Sequence, residues 1–231
     1  MQSSHEVSKQ RIKHLQSVRS VLQKLDVFIY TLGLTEAWIR RKDKVVFPTA
    51  PGVIAGTFDA NEFKLKNYSF NSILSDFREF IRITRAFRKG RPFKIILTVS
   101  PVPLTATATN QHVLVANTYS KATLRAVAAK LSKRSSIDYF PSYEIVTNPQ
   151  YYQNSYNSNL RTVKEATVTN VMNYFFQNID NLNLPISRPQ RVSMFNAKIN
   201  SLKCTQICRL TKPYHQPHQN LSTQRLLVIV I

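Results

Sequence analysis

Apolar residues recur along the first three-quarters of the chain in two alternating rhythms, and each rhythm marks an element. Over residues 5–25, Ile12, Leu15, Val18, Leu22 and Leu25 fall three and four apart, the spacing of one apolar helical face. Asp26 then leads into Val27-Phe28-Ile29-Tyr30-Thr31-Leu32, a β-branched and aromatic run of buried-strand type that stops at Gly33. A second helix is predicted to start near Asn71 or Ser72, because Ile73, Phe77, Phe80, Ile81 and Phe87 return at helical spacing until Gly90 and Pro92 end it. Residues 93–99 form a second buried-type run, broken by Ser100-Pro101-Val102-Pro103. Leu124, Val127, Ala128 and Leu131 predict a third helix over 120–132 with Ser120 as its cap. A third strand is predicted over 137–139, stopped by Pro141, and Val168, Val171, Met172 and Phe175 predict a fourth helix over 164–177.

Strands separated by helices are the signature of an α/β fold, and two strands joined by a helix imply a parallel, right-handed crossover. Residues 38–68 read as an irregular excursion punctuated by Pro48, Pro51, Gly52 and Gly56, with a short strand over 45–47. After Leu184 the rhythm stops, prolines interrupt, and Gln and Asn accumulate. The expected organisation is one α/β domain over 1–184 followed by an irregular, basic tail over 185–231, whose abrupt change of character also fits read-through in a shifted frame. A chain of 231 residues leaves little room for a second large domain.

Composition changes this picture in two places. Thirty-two Lys and Arg against twelve Asp and Glu give a net charge of +20, which raises an anionic polymer as a partner. The basic residues are scattered, however, and seven of them belong to the last fifty residues, so nucleic acid is not the expected partner. The two cysteines, Cys204 and Cys208, both lie in the tail, so a disulfide framework is excluded and the core must rest on apolar burial. Together with His215 and His218 they imitate a zinc-ligand set, but only six residues separate the two pairs, short of the roughly twelve of a zinc finger. No metal and no cofactor is expected. The longest apolar run, 226–231, is far short of the roughly 20 residues that cross a bilayer, and residues 1–19 have no signal-peptide character, so the expectation is a cytoplasmic chain.

Three phrases are more specific than any periodicity: Thr31-Leu32-Gly33-Leu34-Thr35-Glu36-Ala37-Trp38, Thr98-Val99-Ser100-Pro101-Val102-Pro103-Leu104, and Asp138-Tyr139-Phe140-Pro141-Ser142-Tyr143-Glu144-Ile145. With Asn117-Thr118-Tyr119-Ser120-Lys121, they resemble the GSCFA family over roughly residues 5–178. That resemblance implies a three-layer, SGNH-hydrolase-like (flavodoxin-like) parallel sheet with helices on both faces, and acyl-ester hydrolysis on acylated polysaccharide or another small ester. The family's Gly-Ser-Cys-Phe-Ala motif does not occur in this chain, since none of the four glycines precedes a serine. The resemblance therefore implies an amino-terminally truncated member lacking the first strand and the nucleophile turn.

Acyl hydrolysis needs a nucleophile, an imidazole base and donors for the developing oxyanion. Gly33 stands at a strand end where the resemblance implies an oxyanion donor, with Thr35 in place of the expected amide and Glu36 and Ser100 on the same edge. Where the family pattern implies Asp-x-x-His-Pro, the chain reads Asn159-Leu160-Arg161-Thr162-Val163. His112 is the body's remaining candidate base, because His5 and His14 belong to the first helix and no other histidine precedes His215. Three readings follow: an ester-hydrolase relative without turnover, a non-catalytic basic module binding an anionic polymer, or a gene fragment without independent function.

Overall fold

Val27, Phe28 and Leu32 are buried where the apolar run predicts a strand, and their neighbours in space are the equally buried Ile95 to Val99. The computed structural model describes residues 4–47, 49–54, 56–148, 155–178 and 226–230. It divides into two units, one of residues 1–141 with 225–231 and one of residues 142–224. The first holds α1 (Ser4–Lys24), β1 (Val27–Leu32), β2 (Glu36–Arg40), β3 (Val46–Phe47), β4 (Phe63–Asn67), α2 (Phe70–Phe87), β5 (Lys94–Val99), α3 (Val113–Leu131) and β6 (Ile137–Tyr139). β7 (Leu226–Val230) also belongs to it, and the second unit contains α4 (Ser142–Thr147) and α5 (Glu165–Asn178).

β1, β5 and β6 form a parallel sheet in the order β6-β5-β1, with Val27 opposite Lys94, Leu32 opposite Val99 and Ile95 opposite Ile137. The class of fold is therefore α/β with a parallel sheet, as the alternation implies. Ile95, Leu97 and Val99 on one face of β5 and Ile96 and Thr98 on the other are all buried, the condition of a central parallel strand. α2 lays its aromatic stripe on β1, with the ring centroids of Phe80 and Phe28 5.3 Å apart and those of Phe77 and Tyr30 5.7 Å apart. α3 buries Leu124, Val127, Ala128 and Leu131. Arg88 ties the amino ends together: its guanidinium donates to the carbonyls of Leu22 in the last turn of α1, of Leu25 just after it, of Arg91, and of Pro92 before β5. It is 5% exposed, and burial lowers its pKa.

Four expectations need correction. The excursion over 38–68 contains a second, antiparallel sheet in the order β3-β2-β4, in which Trp38 faces Phe47 and Leu65. Gly52 has φ of +88°, and a Cβ there would lie 3.2 Å from the Phe58 nitrogen, so this glycine is required by the turn. α2 begins at Phe70 because Ser69, not Asn71 or Ser72, is the cap, its side chain accepting the Ser72 N–H. α3 begins seven residues before the expected cap, because His112 is the N-cap and Ser120 sits inside the helix. Its first turns carry exposed Leu114, Val115 and Tyr119, so the apolar stripe that marks the helix starts late. Finally, within the stretch read as an irregular tail, Leu226–Val230 is a strand paired in parallel with β1, Val27 opposite Leu226 and Thr31 opposite Val230.

The second unit adds one element the pattern did not announce, the six-residue α4 directly after Pro141. A preceding proline is compatible with a helix start, since the first helical N–H groups have no intrahelical partner. α5 lies within a residue of its expected bounds and buries Thr167, Val171 and Phe175.

Candidate functional site

Parallel pairing brings the carboxyl ends of β1 and β5 side by side, the edge where open α/β sheets carry their sites. The Ser100 N–H donates to the Leu32 carbonyl at 2.8 Å. Across a trans peptide the N–H points opposite to the carbonyl, so the Gly33 N–H is aimed away from β5. It makes none of the hydrogen bonds found among the described residues, and Gly33 stands two residues beyond Thr31, the last residue of β1 paired with β7. The Gly33 carbonyl, by contrast, accepts the Lys121 Nζ at 2.9 Å.

Residues 35, 120 and 121 frame this turn. Thr35 is 1% and Ser120 0% exposed, and their hydroxyl oxygens lie 2.7 Å apart while the Thr35 N–H donates to Ser120 Oγ at 3.2 Å. The Thr35 carbonyl accepts the Tyr68 N–H at 2.8 Å, joining the turn to the segment before α2. Lys121 is 2% exposed, and desolvation pulls its ammonium down to about 8. No salt bridge reaches it among the described residues. Ser120 and Lys121 precede Leu124 by four and three residues, on the stripe that identifies α3, so the polar pair on a buried face was visible in the sequence.

The loop after β5 is held by polar groups at the same edge. Ser100 Oγ accepts the Val102 N–H, and Asn117 Oδ1 on α3 accepts the Leu104 N–H at 2.9 Å, which fixes the Pro101–Pro103 segment. Thr107 Oγ1 donates to Glu36 Oε1 at 2.7 Å and lies 2.7 Å from Thr109 Oγ1. Glu36 is thereby a loop anchor. His112 is exposed and its Nδ1 accepts the Leu114 N–H at 3.3 Å, so the imidazole caps α3. No hydrogen bond joins His112 to Glu36 or to a serine among the described residues.

Other motif residues have structural partners. Trp38 meets the Phe58 ring edge-on at 5.1 Å, and the Arg125 guanidinium covers the Tyr139 ring at 4.2 Å. Asp138 carries a buried Oδ2 with no hydrogen-bond partner, and burial raises its pKa against the charge of Lys94. Tyr143 and Glu144 lie in α4, where the Tyr143 carbonyl accepts the Thr147 hydroxyl and that of Glu144 the Asn148 N–H. In place of the expected Asp-x-x-His-Pro, Asn159 Oδ1 accepts the N–H groups of Arg161 and Thr162 at 3.0 Å each, closing a tight turn with Leu160 at a φ of +53°.

Beside the Gly33 turn lies a cavity of about 300 Å³ that the sequence did not indicate. Its walls come from β1 (Tyr30, Leu32), the following turn (Gly33, Leu34), Tyr68, α2 (Ile73, Asp76, Phe77, Phe80) and Leu124 of α3. Burial raises the pKa of Tyr30, and burial together with the charge of Asp76 raises that of Tyr68, so both are neutral phenols at physiological pH. Among the described residues no group of His, Cys, Asp and Glu is arranged to hold a metal, and no helix is long and apolar enough to cross a membrane. Cys204, Cys208, His215 and His218 lie outside the described residues.

A parallel α/β sheet whose strand ends present a backbone donor framed by buried polar side chains defines an α/β protein with its candidate site at the carboxyl edge. The model described as the GSCFA family matches residues 1–175, and the chain belongs to that family. No curated protein and no solved structure matches it.

Proposed function

We propose that this chain is a GSCFA domain of the SGNH ester-hydrolase lineage that recognises an acyl ester at the carboxyl edge of β1 and does not turn it over by itself. In this reading the sheet is the core of an SGNH-type three-layer arrangement, and the ester belongs to an acylated polysaccharide or another small acyl ester. The observation that carries the reading is the Gly33 N–H, a backbone donor at a strand end with no hydrogen-bond acceptor among the described residues, supported behind by the Lys121 and Ser120–Thr35 bonds. A fixed N–H costs no reorganisation when it meets a carbonyl oxygen, which is why such donors serve acyl chemistry.

The chemical steps lack their agents among the described residues. Ser120 is sealed from solvent, Ser100 is engaged with its own turn, and His112 is turned onto its helix. With no imidazole hydrogen-bonded to a serine among the described residues, proton removal from a nucleophile has no acceptor there. The test is hydrolysis of nitrophenyl butyrate by the purified chain. The expected rate equals the buffer blank; saturable turnover that disappears in His112→Ala contradicts the reading.

A second reading rests on charge placement. Residues 80–137 contain no acid, and Arg78, Arg82 and Arg85 stand exposed at spacings of four and three on α2, with Arg82 paired to Glu79. Arg85 reaches Ser136, and Lys94 Nζ donates to the Ser135 carbonyl, so the amino edge of the sheet gathers Lys133 and Arg134 beside them. Such a patch fits an anionic polymer. Retention on immobilised heparin that weakens with salt supports this module; retention that is absent or indifferent to salt removes it.

A further inference from the structure

From the cavity beside Gly33 we infer that the acyl group this domain accepts carries a medium-length apolar chain on a neutral carbonyl head. The inference rests on the acyl-recognition reading and adds the substrate class to it. An acetyl group would fill a small corner of a space of about 300 Å³, whereas this volume stands at the lower end of pockets that enclose whole ligands. The walls are suited to a hydrocarbon: Leu32, Leu34, Ile73, Phe77, Phe80 and Leu124 supply aliphatic and aromatic surface. Phe77 and Phe80 are fixed by ring contacts with each other and with Tyr30 and Phe28, so the wall exists before a ligand arrives. Each methylene moved from water into such a space is worth about 0.8 kcal/mol at full burial, enough for chain length to dominate affinity.

Charge selects the head. Asp76 is the one ionisable carboxylate of the lining, and the Lys121 ammonium lies behind the turn on the Gly33 carbonyl and not among the lining residues. A free fatty acid would bring a second carboxylate into the cavity that the exposed Asp76 borders, where like charges oppose it by a margin that water screens. An ester or amide carbonyl brings none, and its oxygen is the acceptor that the Gly33 N–H lacks among the described residues. Gly33 lines the cavity itself, so a ligand whose chain lies along the walls brings its carbonyl to the turn that carries this donor.

The experiment is calorimetric titration of the whole chain with octanamide, which has the neutral head and the chain and no ester to cleave. Octanamide is expected to bind at least tenfold more tightly than acetamide and more tightly than octanoate. Two substitutions at the rim, Leu34→Trp and Ile73→Trp, fill the space from half-exposed positions and are expected to weaken octanamide at least tenfold with the thermal transition retained. Octanamide binding no tighter than acetamide, or binding that survives both substitutions in folded protein, overturns the inference. Ester turnover would contradict the non-hydrolytic reading and leave this binding result untouched, so the two failures are separable.

Discussion

Ser120 and Thr35 hold each other in a place closed to bulk solvent, and that fact governs what replacing either does. The Thr35 N–H and hydroxyl both have Ser120 Oγ as partner, at 3.2 and 2.7 Å. Ser120→Ala leaves the buried Thr35 N–H without its acceptor and the Thr35 hydroxyl without its partner, and is expected to cost about 1–3 kcal/mol in urea unfolding. Thr35→Val added to it is expected to cost less than the sum, because the hydroxyls lose a mutual contact only once. Full additivity would show that the pair is not coupled.

Lys121 makes the stability of the fold depend on pH in a defined direction. Its pKa falls from 10.5 to about 8 because burial disfavours the ammonium. Between those values the unfolded chain holds more protons than the folded one, so stability rises as pH climbs from about 8 towards 10.5 and is lost again as pH falls through about 8. Denaturant unfolding across pH 7 to 10 is expected to show a shallower rise in Lys121→Met than in the unsubstituted chain. Equal slopes would place the lysine in water.

The site was legible in the sequence only where chemistry coincides with a strand end. Gly33, Thr35 and Ser100 sit on the edge the β1 and β5 patterns imply, and the structure brings them there together with Ser120 and Lys121. His112 and Glu36 were chosen by residue type, and type does not reveal what a side chain is bonded to: one caps a helix and the other anchors Thr107. The cavity escaped because its lining comes from β1, α2 and α3, and no single run of sequence carries it.

Among the elements, β1, β5 and β6 were the most legible, since buried strands are continuous apolar runs, whereas β7 fell in a stretch whose surroundings had lost their pattern. Helix starts were the least. Ser69 and His112 cap α2 and α3 before their apolar stripes begin, so periodicity dates each helix late. The antiparallel sheet was hidden because its strands are short: β2 has three apolar residues between two charged ones, and β4 alternates apolar with charged residues over only five positions. α1 shows the converse error, a stripe that is real but only partly buried: Leu25, just past its end, is fully buried while Ile12 and Leu15 are 59% and 49% exposed. Leu25→Ala is accordingly expected to cost about 2–5 kcal/mol and Leu15→Ala less than about 0.5 kcal/mol, read from urea midpoints at constant slope. Similar costs would mean that the outer half of α1 is packed against something.

For the molecule as a whole, the chain belongs to the GSCFA family and its parallel sheet points to the carboxyl edge of β1 and β5, while the net charge of +20 says more about association than about fold. The central claim is that the Gly33 N–H receives an acyl carbonyl. The chain has four glycines, Gly33, Gly52, Gly56 and Gly90, so labelling with nitrogen-15 glycine reduces the amide spectrum to signals that single substitutions can assign. On titration with octanamide, the Gly33 amide proton is expected to move downfield while Gly52, Gly56 and Gly90 stay in place. A Gly33 signal that does not respond while octanamide binds would contradict the claim.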